Sequence, residues 1–152
     1  MRFRLATPGD APALRDLERD ANLVALAHVF GDTPYPEAAV LARWSAELAD
    51  PAFRVHVADG PGRLDAYVSH DGSVLHHLAV HPERWGSGLG RAAVEVAVAE
   101  MTEPRLWCLD LNVAAQTFYR RLGWVPTGRS RPDEWPPHPT TSEWALSRGG
   151  PS

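Results

Sequence analysis

Apolar residues recur along this chain with two periods, and the places where the period changes divide it into elements. Arg2-Phe3-Arg4-Leu5-Ala6 repeats every two residues, the mark of a half-buried strand. Thr7-Pro8-Gly9-Asp10 interrupts it, and Asp10 stands as an N-cap ahead of Ala11-Pro12. From there Leu14, Leu17, Ala21 and Val24 or Ala25 recur at helical spacing, in a helix expected to fray near His28. Phe30 to Pro36 reads as a loop. Pro36 and Glu37 then open a second helix with Val40, Leu41, Trp44 and Leu48 on its buried stripe, ended by Asp50-Pro51. The two-residue period returns in Phe53, Val55 and Val57 and again in Leu64, Ala66 and Val68, with the turn Asp59-Gly60-Pro61-Gly62 between them. Asp71-Gly72 is a hairpin signal, so Ser73 to His81 becomes the third strand of a meander.

Gly88 to Met101 reads as a helix whose small apolar face, Leu89, Ala92, Ala93, Val96 and Ala97, is shaped to lie close against a sheet. Pro104 restarts the chain, and Arg105 to Leu109 is a buried strand. Asn112 caps a short helix carrying Ala115, Phe118 and Leu122, and Gly123 ends it. A further strand starts at Trp124-Val125, Pro132 to Pro139 is a proline-rich loop, and the last strand runs from Ser142 to Leu146. Residues 146–152 are expected to be a frayed tail. No internal repeat appears, and 152 residues make one domain with a single core.

Charge narrows the partners. The net charge is −4, and all 15 basic residues are arginines scattered along the chain, which makes nucleic acid and anionic membrane poor partners. Cys108 is the lone cysteine, so no disulfide framework exists, and in an apolar strand it reads as a small buried hydrophobe. The absence of an 18-residue apolar run and of a leader core leads to the expectation of a soluble cytoplasmic protein.

The chemistry concentrates between Leu78 and Val94. An apolar strand, Leu78-Ala79-Val80, stops at Pro82; Arg84-Trp85-Gly86-Ser87-Gly88-Leu89-Gly90-Arg91 follows and leads into a helix. The first N–H groups of a helix lack internal partners and carry the positive end of its dipole, so an anion can sit there if nothing bulky intervenes. Glycines at 86, 88 and 90 are expected to permit positive φ and close approach. A P-loop would need Gly-Lys-Ser/Thr, and the chain has no lysine. A dinucleotide-binding fold competes, because Gly88-Leu89-Gly90-Arg91-Ala92-Ala93 satisfies G-x-G-x-x-A and Asp110 ends the next apolar run, although the preceding elements look like hairpins.

Residues 73–125 resemble the GNAT superfamily of acetyl-CoA-dependent N-acetyltransferases. The glycine-rich stretch is similar to that family's strand ending in L-x-V-x-P followed by Q/R-x-x-G-x-G/A, and Asn112, Ala115, Phe118, Tyr119, Gly123 and Trp124 match its N-x-x-A-x-x-F-Y-x-x-x-G-F/W motif. Trp85 stands where glutamine or arginine is commoner, which is expected to remove a side-chain donor. The resemblance implies an α+β GNAT fold, a mixed sheet of six or seven strands with helices on both faces. It also implies acetyl transfer from acetyl-CoA, as co-substrate, to a small-molecule or peptide amine by direct attack in a ternary complex.

On that reading Leu78, Ala79, Val80, Arg84, Trp85, Gly86, Ser87, Gly88, Leu89, Gly90, Arg91, Asn112 and Tyr119 hold the acetyl-CoA, and Arg120 is near enough in sequence to meet its phosphates. Phe30 and Tyr35, on the loop between the first helices, would line the acceptor site. Trp44 is expected in the core. A phenol with pKa near 10 stays protonated while a thiolate with a thiol pKa near 8.5 is expelled, so Tyr119 is the expected acid, its proton passing favourably to sulfur on contact. Only about one alkylammonium in a thousand is deprotonated at neutral pH, so a base is needed. His76, on the same side of its strand as Leu78 and Val80, is one candidate base and substrate contact; Asp110 is the other. His77 and His81 are expected to point the opposite way, so no metal site is predicted. A non-catalytic acyl-CoA-binding module is the alternative, and a homodimer is left open.

Overall fold

The computed structural model describes residues 3–30 and 33–147. Gly31, Asp32, Met1, Arg2 and the tail from Arg148 onward lie outside the described residues. The elements are β1 (Arg4–Leu5), α1 (Ala11–Ala25), α2 (Ala27–Phe30), α3 (Glu37–Ala49), β2 (Arg54–Gly60), β3 (Arg63–His70), β4 (Val74–Val80), α4 (Leu89–Val98), β5 (Arg105–Leu109), α5 (Val113–Arg121), β6 (Trp124–Pro132) and β7 (Thr140–Leu146). Leu146, expected in the tail, closes β7 instead.

Seven strands form one sheet in the order β1-β2-β3-β4-β5-β7-β6, antiparallel except where β4 meets β5. A dinucleotide-binding fold needs a sheet of parallel βαβ units, so that reading is excluded. The fold is α+β, with helices on both faces as the resemblance implied. On one face Leu14, Leu17 and Ala21 of α1 and Val40 and Trp44 of α3 pack on Val55, Val57, Leu64, Tyr67 and Ala79. On the other, Ala93, Val94 and Ala97 of α4 and Tyr119 of α5 pack with Val68, Leu75, Leu106, Trp124 and Trp144.

Covering both faces changes how β3 reads. The alternation of Leu64, Ala66 and Val68 suggests one wet side, yet every residue from Leu64 to His70 is buried. The intervening Asp65 and Tyr67 lie inside the protein, Asp65 as a buried charge. Its carboxylate accepts from Arg84 Nη1 at 2.8 Å and Arg63 Nε at 3.2 Å. A Cβ on Gly60 would collide with that carboxylate, which is why the turn after β2 carries glycine there. At the opposite edge, β6 is exposed along most of its length and tolerates Pro126 and Pro132, as an edge strand can.

Candidate active site

Strands β4 and β5 pair only through Val74↔Arg105 and Leu75↔Leu106 and then separate. The cause is local. Against β3, Ser69 faces His77 and His70 faces Leu75, so His76 is an extra residue that bends β4 where the two strands part. A cavity of about 710 Å³ opens between them, lined by residues 75–80 of β4, 106–109 of β5, the loop from Arg84 to Arg91, the end of α1 and the start of α5.

The bulge also overturns the expected facing of His76, while His77 faces away from Leu78 as expected. Leu75 and Leu78, three residues apart, both pack toward α4, whereas His76 swings out of the alternation. Its ring lies 4.9 Å from Phe53, and its Nε2 meets Asp71 Oδ2 at 2.8 Å. Both His76 and His77 reach the cavity wall. His77 Nε2 lies 2.7 Å from Arg43 Nη1 and 3.2 Å from Glu47 Oε2. His81 Nδ1 accepts from the Glu83 N–H. The three rings therefore do not converge.

At one end of the cavity lies the glycine loop, whose glycines differ in what they do. Gly86 and Gly88 have φ of 79° and 87°, and a Cβ on either would point into open space. Gly90 is ordinary helix, and a Cβ there would lie 3.4 Å from the Phe118 ring, in van der Waals contact, so neither positive φ nor a clash requires glycine at this position. Gly88 caps α4. The N–H groups of Gly86, Gly88, Gly90 and Arg91 have no acceptor among the described residues, while Leu89 N–H takes Ser87 Oγ at 3.4 Å. These are free donors at the positive end of a ten-residue helix.

The arginines differ in their freedom. Arg91 is exposed and pairs with Glu95 at 3.6 Å. Arg84 is tied to Asp65 and Arg120 lies over the Trp144 ring at 4.8 Å, away from the loop. Trp85 corrects the expectation of a lost donor: its indole N–H donates to Val80 O at 2.8 Å, linking the loop to the end of β4.

Tyr119 lies on the floor. It is 8% exposed, and its hydroxyl takes no side-chain or backbone hydrogen bond among the described residues. Burial, with a smaller effect from Cys108, holds its proton well above the ordinary phenol range. Burial likewise pushes the Cys108 thiol up to about 12, with Asp110 adding to it. Phe118, expected as core beside a more exposed Tyr119, is the less buried of the two and shares the cavity wall. Asn112 accepts from the Ala115 N–H at 3.1 Å as the predicted cap. Asp110 lies outside the cavity lining; its carboxylate accepts from Ser142 Oγ at 2.5 Å.

On the α1 side a second, smaller cavity of about 220 Å³ brings together the two predicted acceptor residues, Phe30 and Tyr35, with Leu26, Val40, Trp135 and Pro136. It meets the large cavity along Glu18, Asn22 and Leu26. Behind this junction is a buried network that sequence reasoning missed. Glu18 Oε1 accepts from Arg43 Nη2 at 2.6 Å and from Trp44 Nε1 at 2.8 Å. Burial raises the Tyr35 hydroxyl well above its usual range, and the nearby Glu18 carboxylate adds to this, although no described residue stands within full hydrogen-bond geometry of that hydroxyl. The only signal in the sequence was Glu18 falling between Leu14, Leu17 and Ala21 on the inner face of α1.

Far from both cavities, at the other end of α4, His56 Nε2 and His70 Nε2 each lie 2.8 Å from Glu100 Oε1, and Arg54 Nε lies at 3.1 Å. Burial opposes the charge, but these donors outweigh it and hold Glu100 at about 2. His70 Nδ1 accepts from the Gly72 N–H, so Nε2 carries the ring proton. The cluster is an ion-pair hub whose geometry leaves His70 no lone pair for a metal. Among the described residues no helix is long and apolar enough to cross a membrane.

No curated protein matches the chain. Solved structures do. The apo form of YjaB from Escherichia coli is 21% identical, with 95% of this chain and 96% of that one aligned at a TM-score of 0.75. The ribosomal-protein-S18-alanine N-acetyltransferase from Escherichia coli is 20% identical over 95% and 92% of the two chains, TM-score 0.71. The PaiA N-acetyltransferase from Thermoplasma acidophilum, in complex with coenzyme A, is 14% identical over 94% and 98%, TM-score 0.67. Likeness at these identities shows the fold. The family model described as an acetyltransferase (GNAT) domain matches residues 51–126, from the end of α3 through the divergent strands and the Tyr119 helix, and on that match this chain belongs to the GNAT acetyltransferases.

Proposed function

We propose that the protein transfers the acetyl group of acetyl-CoA to a primary amine by direct attack in a ternary complex. One observation carries the reading: Tyr119, a largely buried residue whose hydroxyl takes no hydrogen bond among the described residues, lines one cavity with the free N–H groups of the glycine loop and with the unpaired edge of β4. A module that only bound acyl-CoA would need the loop and the edge but not a phenol held protonated beside them. The coenzyme A complex of the PaiA relative supports acyl-CoA as the donor.

The CoA pyrophosphate fits the N–H groups from Gly86 to Arg91, with Arg91 beside it, and the pantetheine fits along residues 78–80 of β4. The deprotonated amine attacks the thioester carbonyl, the C–S bond breaks and sulfur takes the proton of Tyr119; of the two protons the ammonium gives up, one leaves through the base to water and the other, relayed by water, restores the Tyr119 phenol. Ordinary acidities alone oppose the Tyr119 step, since a phenol near 10 is a weaker acid than a thiol near 8.5; the favourable transfer expected from those values does not hold in water. Burial disfavours thiolate and phenolate alike on this floor, raising both the Cys108 thiol and the Tyr119 phenol, so the proton passes to the departing sulfur only as the phenol is itself reprotonated from the solvent side.

For the base we assign His76. With Nε2 donating to Asp71, its Nδ1 is left as the acceptor, and Asp71 stands ready to stabilise the imidazolium; Arg43 beside His77 would repel one.

Tyr119→Phe tests the reading. Folding and acetyl-CoA affinity should change little, while kcat and kcat/KM fall together by about 10²- to 10⁴-fold. An undiminished kcat, with chemistry shown to limit turnover, would leave Tyr119 as a packing residue.

A further inference from the structure

The acceptor side of the site is unusually poor in negative charge. Across both cavities Glu18 is the one carboxylate among the described lining residues, and it sits where the two meet. Its Oε1 is taken by Arg43 and Trp44, whereas Oε2 accepts no hydrogen bond among the described residues. Beyond it the small cavity has walls of Leu26, Phe30, Val40 and the Trp135 ring, and about 220 Å³ is room for a phenyl ring or a short alkyl chain. Polyamines and aminoglycosides carry several cations that need several carboxylates; among the described residues this space supplies one, and its far end is mainly apolar, with Thr33 as a neutral polar group.

We infer that the acceptor is a monocationic primary amine with an apolar or aromatic tail. The tail fills the Phe30/Trp135 cavity, and Glu18 Oε2 draws the ammonium to the junction, from which the nitrogen is presented to the open edge of β4. Tyr35, whose buried hydroxyl is near Glu18 but in full hydrogen-bond geometry with no described residue, is the second polar group within reach of that ammonium. The inference rests on the N-acetyltransferase reading and adds the class of its substrate.

The test is thiol release from acetyl-CoA with ethylamine, propylamine, butylamine, pentylamine, 2-phenylethylamine and spermidine, together with thermal-shift binding of 2-phenylethylamine. Each methylene buried should raise kcat/KM by about fourfold, and 2-phenylethylamine should exceed spermidine by at least about tenfold. Ala27→Trp fills the small cavity from α2 and Trp135→Ala removes a wall; each should lower the 2-phenylethylamine to ethylamine ratio at least about fivefold. Glu18→Gln keeps the acceptor for Arg43 and Trp44 but should raise the amine KM about tenfold, and if it fails to fold the two cavity variants still decide. Thiol release that is flat along the series, or fastest with spermidine, overturns this inference and leaves acetyl transfer standing. No thiol release with any amine overturns the transfer reading instead; the tail cavity is then judged by binding alone, where loss of the 2-phenylethylamine shift in Ala27→Trp supports it and an unchanged shift overturns it.

Discussion

The two ends of the large cavity are built by different means. At the proposed donor end the available groups are backbone N–H atoms, set by two glycines with positive φ and by the first turn of α4, all within six residues. At the proposed acceptor end they are side chains contributed by α1, α2, α3 and the β6–β7 loop, held by a buried network that joins residues up to 59 positions apart, from Glu18 to His77. Backbone donors recognise any phosphate, so such a loop carries no information about the acceptor. Side chains on separate elements can change one at a time, which lets the acceptor vary while the donor stays the same.

Substitutions should therefore separate the two ends. The largest effect on binding belongs to Gly88→Val. A β-branched residue at φ 87° costs roughly 1–3 kcal/mol and its side chain occupies the space the phosphate needs, so calorimetry should show CoA affinity down about 100-fold while amine binding persists. Unchanged CoA binding in a folded Gly88→Val protein would remove the loop from the site. His76→Gln comes next. It should lower kcat/KM by about 10- to 100-fold with CoA affinity intact, and the acidic limb of the pH profile, set by the base, should disappear. Tyr119 should leave no alkaline limb in the working range, because burial keeps its proton on well above the ordinary value.

Asp65→Asn should act on the donor end alone and more weakly. It frees Arg84 from its buried carboxylate and loosens the loop, so the acetyl-CoA dissociation constant should rise roughly three- to tenfold, with the amine KM unmoved. The smallest effect is expected at neither end. Glu100 is held at about 2 by Arg54, His56 and His70, so its contribution is present above the ordinary carboxylate value near 4.5 and is lost as pH falls from there toward 2. Partial exposure limits its worth to about 1 kcal/mol, so Glu100→Gln should lower Tm at pH 7 by roughly 2–4 °C and flatten the acid side of the stability profile, without altering either substrate's binding.

Wherever structure depends on neighbours in sequence, the chain is legible. The two-residue runs of β2, β3 and β4, the turns at Pro61-Gly62 and Asp71-Gly72, the Asn112 cap and the glycine loop all follow from periodicity, turn chemistry and the unpaired donors of a helix start. So does the choice of Tyr119, since its position on α5 is read from the same motif that places Asn112 and Gly123.

Tertiary structure decided the rest. The bulge at His76 exists only because β4 is paired to β3 on one side and abandoned by β5 on the other, and it moves His76 out of a facing that strict alternation would give it. Gly60 is a glycine because the Asp65 carboxylate folds back onto it, not because of a local angle. Trp85 becomes a donor because folding brings Val80 O within reach of its indole. Asp65 and Glu18 look like misplaced charges in apolar stripes until Arg84 and Arg43 arrive from other elements to pair with them. Local backbone preferences act within a few residues and can be read from one stretch at a time. Pairing of buried charge, closure of a cavity and the loss of a strand's partner depend on which surfaces meet, and that is decided only when the whole sheet and its two layers of helices have come together.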